Sequence, residues 1–211
     1  MRIYWFILKC LLGILLQSCN QESPKHVTDP KAIALGRKIE PLVQYLNDKD
    51  SCRKAITYLD SATGIDSDYF LGYDNKLMFL NRLGDYKSGL AAINQLIRLR
   101  PNAHDLYLNK GIFYEKLNDS VNAAKCFEKS LSICNAVLDT MSSQNRDYIL
   151  FLTNKICNQI FLGQSREAGK TFEESRKNII DENLADLLKQ FYPLSRQELL
   201  NKLLPDFDSI Q

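Results

Sequence analysis

The chain has 211 residues, 45% of them apolar and 25% charged, with only 9 Gly and 6 Pro. A length and composition of this kind build a folded domain with its own core, and they exclude disordered, collagen-like and polytopic membrane proteins. The formal charge of +2 is carried by Arg2 and Lys9, since no acid precedes Glu22, and the balanced remainder lacks the basic surplus of a nucleic-acid binder.

Residues 1–19, MRIYWFILKCLLGILLQSC, begin with Arg2 and run apolar over 3–16, interrupted by Lys9. Fourteen helical residues rise about 21 Å, short of the roughly 30 Å hydrocarbon core. A secretory signal fits better than a spanning helix. The end of the run, Leu16-Gln17-Ser18-Cys19, resembles the lipobox of bacterial lipoproteins. That resemblance implies a signal peptide over 1–18, cleavage before Cys19 and a lipid on its thiol. Asn20, in place of Asp, implies sorting to the outer membrane. Several acyl chains, each contributing about 0.8 kcal/mol per buried CH₂, would make the tether permanent. The alternative is an uncleaved hydrophobic anchor with an incidental cysteine. Residues 19–35 begin polar, contain Pro24 and Pro30, and are expected to be a flexible tether.

Beyond the tether the chain repeats itself. Residues 73–85 read YDNKLMFLNRLGD, and 107–119, one period of 34 later, read YLNKGIFYEKLND. A third version, LTNKICNQIFLGQ, begins at Leu152, and its Asn-Lys pair lies 45 residues after the second, one period plus 11. The copies are 36–69, 70–103, 104–137 and 149–182. In each, apolar residues recur at spacings of three and four in two runs separated by a polar turn, which predicts paired helices. Tyr73, Leu77, Leu80 and Leu83 line one helix; Leu90, Ile93, Leu96 and Ile97 line the next. Gly89, Ala123 and Ala168 are expected where two helices cross closely.

The positions Tyr107, Gly111, Tyr114, Ala123 and Phe127 resemble the tetratricopeptide repeat, as do Gly89, Ile93 and Pro101 in the preceding copy and Gly163, Ala168 and Phe172 in the last. The resemblance implies an all-α solenoid of about four helix-turn-helix repeats with a concave docking surface. The insertion over 138–148 is expected to prolong the second helix of the third copy and then form a loop at 142–145. Residues 183–211 are expected to cap the stack. DENLADLLKQFY forms one helix ending at Pro193, and Ser195-Arg196-Gln197-Glu198 is a capping box opening a last short helix before Pro205.

First-helix residues of such repeats face the groove. By that resemblance the candidate peptide contacts are Asn75, Asn109 and Asn154, with Asp74, Leu108 and Thr153, and Met78, Ile112 and Cys157. The set is mixed and partly apolar, which favours an apolar or helical ligand over an acidic tail. Lys76, Lys110 and Lys155 are expected to lay their stems on apolar surface with the ammonium in water. The string from Gly163 to Thr171 imitates a phosphate loop, but it has five residues between its glycines where four are needed, and it falls on a helix. Cys52, Cys126, Cys134 and Cys157 are expected to be small buried side chains, a Cys134–Cys157 bridge being the alternative. With only His26 and His104, a histidine-based metal or nucleophile site has little material.

The function implied is a membrane-anchored binding module in the bacterial envelope, neither enzyme nor nucleic-acid binder, with no cofactor or metal and with a protein or peptide partner. The competing readings are a structural subunit of an outer-membrane or pilus complex and an enzyme or small-ligand receptor.

Overall fold

A computed structural model describes residues 26–145, 147–178, 186 and 188–205. The signal segment, Cys19, Asn20 and half of the helix expected from residue 181 lie outside the described residues. Among those described there are nine α-helices, one 3₁₀ helix and no strand. The helices are α1 (Pro30–Arg37), α2 (Lys49–Ile65), α3 (Phe70–Leu83), α4 (Tyr86–Leu99), α5 (His104–Lys116), α6 (Ser120–Leu138), α7 (Tyr148–Phe161), α8 (Ser165–Asn178) and α9 (Arg196–Leu203); the 3₁₀ helix spans Glu40–Tyr45. From α1 to α8 each helix packs on its neighbour in the chain, and α5 also touches α7. The outcome is an α-solenoid.

The hairpins form for local reasons that repeat with the sequence. Their corners, Gly84, Asn118 and Gly163, all have positive φ (67°, 58° and 74°), at the same offsets of 34 and 45 that separate the Asn-Lys pairs. Such backbone ends a helix and turns the chain. Asp85 and Asp119 then cap the second helices, accepting bonds from Ser88 N and Asn122 N, each at 3.1 Å. Close crossings bring the hairpins together. A Cβ at Gly89 would lie 2.1 Å from the Phe113 ring and one at Gly111 2.4 Å from the Phe127 ring, so only glycine fits. Phe127 stacks in turn on Phe161 at 4.5 Å between centroids. Ala123 and Phe127 are wholly buried in the main core, with Ile93, Leu96, Ile156 and Ala168. Each large apolar side chain so buried stabilises the fold by about 1.5–3 kcal/mol.

The structure departs from expectation at three places. The tether gives way to α1 at Pro30, within the span expected to be flexible. Residues 26–29 are already pinned: His26 Nε2 lies 2.9 Å from both carboxylate oxygens of Asp66, and Asp29 N donates to the same group at 2.9 Å. In the copy at 36–69 a six-residue 3₁₀ helix opening on Glu40 and Pro41 stands where a first α-helix was expected. In the third copy α6 is prolonged as expected, to 19 residues against 14 in α4, but it ends at Leu138 and leaves Met141 in the loop.

At the other end, Leu188 and Phe191 are buried and Tyr192 lies 5.0 Å from Phe172 of α8. The expected capping box is present: Glu198 N donates to Ser195 Oγ at 3.3 Å and Ser195 N to Glu198 Oε2 at 2.8 Å. It starts α9, which returns over the first helices.

Candidate functional site: the face of the first helices

On α3, Asp74, Met78 and Asn81 follow one another at spacings of four and three, and so share one helix face. Leu108, Ile112 and Glu115 do the same on α5, and Thr153, Cys157 and Ile160 on α7. These three faces form the surface on which docking was expected, and its two ends differ.

Toward the amino terminus the surface is open. Asp74, Asn75 and Met78 are half-buried, as is Asn109. Leu71, one turn before Asn75, is 47% exposed. Leu71 and Asn75 form one wall of a cleft of about 410 Å³, with Ile33, Arg37, Val43 and Tyr69 opposite. Asp105 stands nearby at the start of α5. Burial and the neighbouring charge of Asp105 push the Asp74 carboxyl up to about 6, against the opposing pull of Arg100. Burial likewise pushes Asp105 up to about 6. Arg100 lies over the Phe70 ring, 3.9 Å from its centroid. Sequence reasoning nominated Asp74 and missed Asp105.

Toward the carboxy terminus the surface is closed. Leu108, Ile112, Thr153, Asn154 and Cys157, expected to meet a ligand, are all at most 7% exposed. The cause is α9. Its Leu199 and Leu200, with Leu204, join the same core cluster as Leu108, Ile112, Ile156, Cys157 and Ile160. Arg196 fastens its first turn, Nη1 donating to the Phe161 carbonyl at 2.7 Å and Nη2 to Glu115 Oε1 at 2.6 Å. Lys202 sits close enough to Cys157 to act on its thiol, though burial dominates there and raises the thiol's pKa.

Asn154 has an internal partner instead of a peptide. Its Nδ2 donates to Nδ1 of His104 at 2.6 Å, and the imidazole lies 4.1 Å from the Phe151 ring. Ser130 Oγ donates to the His104 carbonyl at 2.7 Å and accepts from Asn158 Nδ2 at 2.8 Å. This network ties α5, α6 and α7 together. Burial lowers the His104 pKa to about 4, so the ring is neutral at pH 7. Lys76 is likewise engaged, its ammonium pairing with Asp60 of α2 in place of bulk water.

Cys52, Cys126, Cys134 and Cys157 are buried free thiols. Burial pushes the Cys134 thiol up to about 12, which leaves little thiolate for nucleophilic work. Among the described residues no cluster of three His, Cys, Asp or Glu is placed to hold a metal, and no helix is long and apolar enough to cross a membrane.

Residues 104–136, which comprise α5 and most of α6, match the tetratricopeptide repeat family. The α5–α6 hairpin is thus a tetratricopeptide repeat, and α3–α4 and α7–α8 share its corner geometry. No curated protein is significantly similar to the chain. Solved structures of similar shape include MamA, residues 41 to the end, from Desulfovibrio magneticus RS-1, at 15% identity over 83% of this chain and 93% of that one, with a TM-score of 0.49. A MamA RS-1 ArsTM double mutant matches at 13% identity over 90% and 94%, with a TM-score of 0.49. A further MamA protein matches at 15% identity over 92% and 98%, with a TM-score of 0.42.

Proposed function

We propose that this chain is a protein-docking scaffold, held at a bacterial outer membrane by a lipid on Cys19, that grips a partner segment on the open part of its first-helix face. One observation carries this reading. The amino-terminal part of α3 offers a cleft walled by Leu71 and Asn75, and Asp74 and Met78 on the same helix are half-buried. Apolar side chains beside a few polar groups suit a bound segment: burial supplies affinity and the amides and carboxylates supply direction. The carboxylates Asp74 and Asp105 disfavour an acidic tail. Stacked helical hairpins serve widely as extended docking surfaces, which supports a binding role over a catalytic one.

The test is a photo-crosslinking amino acid at Met78 of the full-length protein in its native membrane, with a second at Val121, 65% exposed on α6, as the control. A discrete adduct from Met78 and none from Val121 is the expected result. Equal labelling from both sites, or none from Met78, would overturn the reading.

A further inference from the structure

The strongest clue to what the docking face accepts is what already lies on part of it. Only eight residues long, α9 is marginal as an isolated helix, so it is held by its contacts. Those contacts are of two kinds. Leu199 and Leu200 enter the core beside residues of α5 and α7. Arg196 spans both first helices, reaching Glu115 near the end of α5 and the carbonyl of Phe161, the last residue of α7. A helix ends in unsatisfied carbonyls and a partial negative charge. The carboxy-terminal end of α7 and the Glu115 carboxylate together make a notch complementary to a guanidinium. The surface under α9 is therefore an apolar strip closed at one end by an anionic notch, on the same row of first helices that carries Asp74 and Met78 nearer the amino terminus.

We propose that α9 is an internal occupant of the docking face, and that the external partner is an amphipathic helix of the same chemistry: a basic residue in its first turn and leucine-like residues one turn further on. The proposal rests on the docking reading above and adds the partner's chemistry and its competitor. A partner with this pattern takes the place of α9 and gains the part of the face that α9 covers, around Glu115, Cys157 and the end of α7. A partner without it reaches only the amino-terminal cleft. The internal helix has the advantage of effective concentration, since it is tied to the same chain. Weakening it without emptying the core exposes the competition.

The probe is a fluorescent peptide of residues 194–205, LSRQELLNKLLP, added to the full chain. Anisotropy is expected to show at least tenfold tighter binding to the Arg196→Ala chain than to the unaltered one, because the peptide restores the guanidinium that the variant's own helix lacks. The same peptide carrying Arg196→Ala should gain nothing. Hydrogen exchange on the unaltered chain guards against a variant that misfolds: saturating peptide should speed exchange across α9 and leave α7 unchanged. Equal peptide binding by both chains, or α9 exchange that peptide does not alter, would show α9 to be a permanent part of the core and would sink the proposal. A Met78 adduct without peptide exchange overturns this inference alone. Absence of the adduct removes the docking reading, and the external partner with it.

Discussion

His104 shows how much a single residue can do once buried. Its imidazole receives the Asn154 amide and packs on Phe151, and burial lowers its pKa from 6.5 to about 4. A depressed pKa means stability that is complete above the unfolded value and lost as pH falls toward the folded one. Urea melts between pH 6.5 and 4 should therefore show a loss of about 3 kcal/mol assignable to this ring. His104→Gln should flatten that decline while lowering the plateau. Asp74 and Asp105 act in the opposite direction. Their carboxyls are raised to about 6, so their contribution is greatest below about pH 4 and disappears as pH rises through 6. The double variant Asp74→Asn, Asp105→Asn should thus gain more stability at pH 7 than at pH 4; a uniform gain would contradict the assignment. At Gly163 the argument is steric. Its φ is +74° and nothing lies within 4 Å of an added Cβ, so Gly163→Ala should cost about 1 kcal/mol from backbone strain alone, read from a thermal melt.

The hairpin is the unit whose rules are written in its own stretch of sequence. Asp119 caps α6 with a bond to Asn122 N at 3.1 Å. Asp119→Ala should cost about 1 kcal/mol, measured by denaturant unfolding. Gly111→Ala should cost more, about 1–3 kcal/mol, since its new methyl meets the Phe127 ring, itself held against Phe161. Gly111 stands out in the sequence as a repeat position, and Asp119 recurs one period after Asp85, because such local patterns return at a fixed spacing even where the cap itself was not singled out. The elements that were not legible are those decided by distant partners. Arg196 meets Glu115 across 81 residues of chain, and Asn154 meets His104 across 50. Neither pair is marked in its own neighbourhood. Asn154 and Cys157 carry the pattern of groove residues, yet His104 engages the first and α9 brings Lys202 close to the second. The 3₁₀ helix at Glu40–Tyr45 was missed for a different reason: apolar spacing there is compatible with an α-helix, and the short span before the Asp48 cap is too small to complete one.

For the molecule as a whole, the proposed anchor and the docking surface act independently. Cys19→Ala in the full-length protein should move the chain from the membrane fraction to the soluble one; a variant that stays membrane-bound would mark the leading segment as an uncleaved anchor. An anchor on Cys19, as proposed, would matter mechanically because of how the chain enters the solenoid. Asp66 is 7% exposed and accepts from His26, from Asp29 N and from Asp68 N. Burial would raise its carboxyl, but these bonds win and hold it below the usual range. Any tension arriving along the backbone from upstream of His26 is consequently delivered to the junction of α2 and α3, beside the cleft, before it can reach α1. A pull on a lipid-held chain would thus be borne at that junction, which would keep the cleft at the membrane-proximal end of the solenoid whichever way the body swings.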